Sequence, residues 1–76
     1  MKIGKYDVPQ SVIQNYLFAV KWNQSHATNA SDRAQKEAHN EVLEAAGFNR
    51  DGLNDEGVRF SNVIDTLVND LLIKGY

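Results

Sequence analysis

The C-terminal third of the chain carries the one period that can be read in a single way. Phe60, Val63, Ile64, Leu67, Val68, Leu71 and Leu72 recur at three- and four-residue steps, which places them on one side of an α-helix. At 100° per residue they cover about half of the circumference; Ser61, Asn62, Asp65, Thr66, Asn69 and Asp70 fill the other half. Buried fully, side chains of this size stabilise a fold by roughly 1.5–3 kcal/mol each before ordering costs. Such a helix is the wall against which a small core is built.

The ends of this helix are also legible. Asn54 can cap it, because its side-chain oxygen accepts a backbone N–H of the first turn. Leu53 and Val58 sit at the two positions of a hydrophobic staple. Asp55 and Glu56 place negative charge at the positive end of the helix dipole, and Lys74 with Gly75 supplies a C-terminal stop. The predicted helix covers residues 55–74.

Upstream, Asp7-Val8-Pro9-Gln10 resembles a helix start, with Asp7 as cap and Pro9 in the first turn. From there to residue 24, Val8, Val12, Ile13, Tyr16, Leu17 and Val20 form an apolar face. Phe18 and Trp22 do not belong to it. They are an i, i+4 pair on the opposite side. The leading expectation is a central helix sandwiched by the others; the alternative is an exposed aromatic pair that anchors a protein interface, where large aromatics are over-represented among energetic hot spots.

The stretch from Trp22 to Ser31 is polar and free of Gly and Pro. Asn29 or Ser31 is the expected next cap, although one continuous bent helix would also fit. The second helix, residues 30–46, has an inner stripe of Ala30, Ala34, Ala38, Val42 and Ala45, which lets a neighbouring backbone come close. Gly47 ends it in a left-handed turn, with Phe48 folding back onto Leu43. Residues 1–6 show no helical period, and Gly4 interrupts them. They form an arm, either loose or laid across the core, with no partner strand evident. The expected fold is all-α: a small three-helix bundle with a short non-helical N-terminal arm, read as one domain over 76 residues.

No cysteine is present, so neither a disulfide nor a thiolate metal site can brace so small a core. The net charge of −2 argues against a dedicated nucleic-acid surface. Its distribution is uneven: residues 1–38 carry five Lys or Arg against three Asp or Glu, and residues 39–76 three against seven. That imbalance suggests an acidic face able to steer a basic partner. No segment reaches membrane-spanning length and no signal-peptide pattern opens the chain, so a cytoplasmic location is expected.

Sites of chemistry are sought in vain. Asp51, Asn54, Asp55 and Glu56 do not meet the EF-hand spacing, because Leu53 falls on the third position and no glycine on the sixth. His26 and His39 form no ligand spacing and read as solvated or boundary residues. The nucleophile-elbow, phosphate-loop and dinucleotide patterns are all missing. No enzymatic activity and no cofactor are expected. A helix-turn-helix is disfavoured by the long connection from Gly47 to Leu53 and by Asp55 and Glu56 opening the would-be recognition helix.

By elimination, the expected function is that of a protein–protein interaction module binding another protein or a second copy of itself. Phe18 and Trp22 would anchor it, and Asp55, Glu56, Asp65 and Asp70 would be its rim or steering charges. Small, acidic, cysteine-free helical proteins of this style are common among phage- or mobile-element-type inhibitors of host machinery. The alternative is a nucleic-acid-associated regulator using Lys2, Lys5, Lys21 and Arg33.

Overall fold

Three helices form along the stretches whose period predicts them. The computed structural model describes residues 1–49 and 54–75. Two short strands, β1 (Lys2–Ile3) and β2 (Tyr6–Asp7), precede α1 (Gln10–His26), α2 (Asn29–Ala45) and α3 (Asp55–Ile73). The N-terminal arm is thus neither loose nor partnerless: it folds on itself. β1 and β2 pair antiparallel, Lys2 opposite Asp7 and Ile3 opposite Tyr6. Gly4 makes the turn possible at φ +60°, a conformation that side chains other than glycine disfavour. The partner strand lay two residues away, made of Tyr6 from the end of the arm and Asp7 from the segment read as a helix start.

That hairpin shifts the start of α1. Asp7 is engaged in β2 and does not cap; Pro9 occupies the N-cap position with no side-chain cap. Its carbonyl accepts from Val12 N at 3.0 Å and Ile13 N at 3.3 Å, so backbone alone closes the first turn. Helices α1 and α2 are separate, because Ala27 turns left-handed at φ 50°. Thr28, not Asn29 or Ser31, caps α2. The Ser31 N–H donates to Thr28 Oγ1 at 3.0 Å and the Thr28 N–H donates to Ser31 Oγ at 2.8 Å. This is a capping box in which serine does the work usually given to Glu or Gln.

The other end of α2 follows the sequence. Gly47 sits at φ +96°, its N–H donates to Glu44 O and the Phe48 N–H donates to Leu43 O, each at 2.9 Å. Both bonds of the Schellman motif are therefore formed. Asn54 caps α3, accepting from the Gly57 N–H at 2.8 Å. Of the expected staple, Val58 is exposed and Leu53 lies outside the described residues.

The core gathers Ile3 of the hairpin, Val8, then Ile13, Tyr16, Ala19 and Val20 of α1, Ala38, Val42 and Leu43 of α2, and Phe60, Ile64 and Val68 of α3. Two expected stripes are narrower than their periods imply. On α2, Ala30 and Ala45 face outward and Ser31 is wholly buried in their stead. On α3, Val63 is half exposed, since two other helices and a hairpin cannot cover half a helix circumference.

Candidate functional site

Helix α1 does not sit in a sandwich. Its core side holds Ile13, Tyr16, Ala19 and Val20, and nothing among the described residues covers the side turned away from them. Phe18 is 76% exposed and Trp22 42%. Trp22 meets His26 edge-on at 6.2 Å between ring centroids, as i, i+4 neighbours on a helix do. The sandwich expectation fails because α2 and α3 pack on the same half of α1.

Beside the aromatic pair runs an open groove of about 470 Å³ between α1 and α2. Phe18 and Trp22 form one wall with Asn15, and Ala19, Ala34 and Ala38 form the floor. Glu37 and Glu41 of α2 stand opposite. Methyl side chains on the floor are the reason the groove exists, since longer ones would fill it. Across it, Asn15 Nδ2 lies 3.4 Å from Glu41 Oε2.

The groove keeps its shape because α1 and α2 are locked at their shared turn. Ser31 Oγ donates to Asn23 Oδ1 at 2.9 Å, and Asn23 Nδ2 donates to Gln35 Oε1 at 2.8 Å. Ser31 is completely buried, where an unmet hydroxyl would be costly. These two bonds fix the distance between the helices, while the same Ser31 hydroxyl also closes the capping box of α2.

The four acids expected at the rim lie elsewhere. Asp55, Glu56, Asp65 and Asp70 are all on α3, and no α3 residue lines the aromatic groove. Glu56 is held by Lys5 Nζ at 2.5 Å and by the Tyr6 hydroxyl, which ties the hairpin to the start of α3. Asp70 pairs with Lys74 at 3.0 Å. Asp65 accepts from the Tyr16 hydroxyl at 2.7 Å. Partial burial, reinforced by that bond, pushes the Tyr16 phenol well above the ordinary tyrosine range.

A second polar cluster surrounds Asp65. Its Oδ1 lies 3.5 Å from His39 Nε2, and the same nitrogen is 2.9 Å from Ser61 Oγ. Serine, histidine and aspartate are thus together, but not as a relay. A carboxylate that orients a catalytic imidazole must hold the nitrogen remote from the hydroxyl. Here both address one nitrogen, and the cluster joins the three helices instead. Among the described residues no group of three or more His, Cys, Asp or Glu is placed to hold a metal ion, and no helix is long and apolar enough to cross a membrane.

Sequence reasoning found the aromatic pair and missed the opposite wall. The signal was there: Glu37 and Glu41, which line the groove, are an i, i+4 pair on α2. Comparison of the chain with the known protein families, with curated proteins and with solved structures finds no match to any of them.

Proposed function

We propose that the protein is an interaction module that docks another protein against the outer face of α1, with Phe18 and Trp22 as anchors. The observation that carries this reading is the exposure of Phe18, which turns a whole aromatic ring to solvent beside an open groove. A phenylalanine so placed forgoes roughly 1.5–3 kcal/mol that burial would return. Aromatic side chains at the centre of an interface recover it on binding. The protein's small size and the exposed aromatic pair suit an inhibitor of the phage- or mobile-element type, which acts by occluding a surface.

The test compares wild-type bait with Phe18→Ser and Trp22→Ala variants, each checked for unchanged helical circular dichroism. A partner retained by the wild type and lost by both variants supports the reading. Identical partner sets for all three baits would sink it. Light scattering over a concentration series separates binding of another protein from self-association.

A further inference from the structure

The outward side of α3 carries a second apolar patch that the described elements leave open. Val63 is 50% exposed and Leu67 half-buried. With Asn62, Thr66 and Asp70 they line an open hollow of about 500 Å³, to which no α1 residue contributes. Arg59 and Asp70, both exposed, bound the patch along the helix. At 100° per residue Arg59, Val63, Leu67 and Asp70 fall within about 80° of one another. They form one stripe that runs cation, apolar, apolar, anion.

Reversed end to end, that stripe is its own complement. We propose that α3 pairs antiparallel with α3 of a second copy of this chain, about a twofold axis at the level of residue 65. Val63 then meets the partner subunit's Leu67, and Arg59 meets the partner subunit's Asp70. Symmetry makes each contact occur twice. An isologous interface requires a surface that matches itself in reverse, which two charges of one sign on this stripe would forbid. Antiparallel alignment also sets the positive end of each helix dipole beside the negative end of the other.

The contacts these charges already make leave room for the pairing. Lys74 Nζ holds Asp70 Oδ2 at 3.0 Å, and the charge of Arg59 bears on Glu56 one turn back. A carboxylate accepts at about four positions and a guanidinium offers five donors, so Asp70 can keep Lys74 and still receive Arg59 across the axis. Two apolar positions per copy make a short seam. The dimer should therefore form at high concentration and dissociate on dilution.

The test is solution mass over a concentration series, by light scattering and sedimentation equilibrium. Arg59→Asp alone, or Asp70→Arg alone, sets like charges against each other at both contacts and should weaken the dimer tenfold or more, roughly. An equimolar mixture of the two variants should regain dimers, because their charges then complement each other at both contacts. Phe18→Ser should leave the wild-type dimer unchanged. If either charge variant fails to fold, Val63→Glu reads the same seam by placing a carboxylate at its apolar centre.

A wild type that stays monomeric at every concentration overturns the proposal and leaves the aromatic face of α1 untouched. A dimer indifferent to both charge changes overturns it as well. So does one lost in Phe18→Ser and kept in Arg59→Asp, which would move the contact to α1.

Discussion

Two groups of aromatic rings in this protein meet opposite fates. Tyr6, Phe48 and Phe60 close on one another, with centroids 4.9 to 5.3 Å apart. They come from the hairpin, from the residue after the glycine stop of α2, and from α3. Phe18 and Trp22 come from adjacent turns of α1, and Phe18 meets no ring among the described residues. Rings from three distant segments can cover each other because the chain folds around them. An i, i+4 pair shares one side of one cylinder, so its cover must arrive from another element, and none of those described here supplies it. The closed group belongs to stability; the open one is available for binding.

The largest effect expected from this contrast is at Phe60. Truncation to alanine empties the centre of the closed group and should cost about 3–5 kcal/mol. A domain of this size has roughly 4–11 kcal/mol in all, so urea unfolding monitored by circular dichroism should show a severe loss or no cooperative transition. Phe18→Ala should change stability by less than about 0.5 kcal/mol in the same measurement. A Phe18 cost approaching that of Phe60 would break the comparison, because it would make the exposed ring part of the core.

Next in size is Ser31→Ala. It leaves the half-buried Asn23 side-chain oxygen without the hydroxyl that donates to it and should cost about 1–3 kcal/mol. The closed aromatic group is untouched by this change, whereas the α1–α2 spacing that shapes the open groove is not. Trp22 emission should therefore respond at denaturant concentrations where the protein is still folded. Unfolding of the whole molecule in step with Trp22 would show that the turn has no separate hold on the groove.

The sequence spoke clearly where one helix carried its own signals. Asn54, Gly47 and the Phe60–Leu72 face were legible because caps, glycine stops and periods are local. The sequence was misleading where two segments competed for the same residues. Asp7 is a good cap by type, yet pairing with Lys2 across the Gly4 turn takes it into a strand, a choice decided by Ile3 and Val8 reaching the core. Thr28 took the cap from Asn29 because Ser31, buried against α1, could bond back to it and onward to Asn23. The candidate site was half legible: the aromatic pair announced itself by falling off the apolar face. Glu37 and Glu41 did not, since their place on the groove depends on α2 lying beside α1.

The smallest effect concerns the tether that holds the lid of the closed group in place. The Lys5 ammonium, and after it the Tyr6 hydroxyl, hold the Glu56 carboxyl below the ordinary glutamate value of 4.5. A lowered value in the folded state means the tether contributes in full above 4.5 and is lost as pH falls through the folded value. Lys5 is raised above its ordinary 10.5, chiefly by the hydrogen bond to Glu56, so the contribution is also lost as pH climbs through that raised value. Between those limits the hairpin should stay docked on α3. All three groups lie at the surface, where solvent and salt screen the pair. The change should therefore appear as local loosening rather than unfolding. Amide exchange of Lys5 and Tyr6, followed by NMR from pH 6 down to pH 3, should accelerate relative to the core of α3, after correction for intrinsic rates. Glu56→Gln should abolish that acid-dependent step. If it survives in the variant, a carboxyl other than Glu56 carries it, and the tether to Glu56 is not what loosens the hairpin in acid.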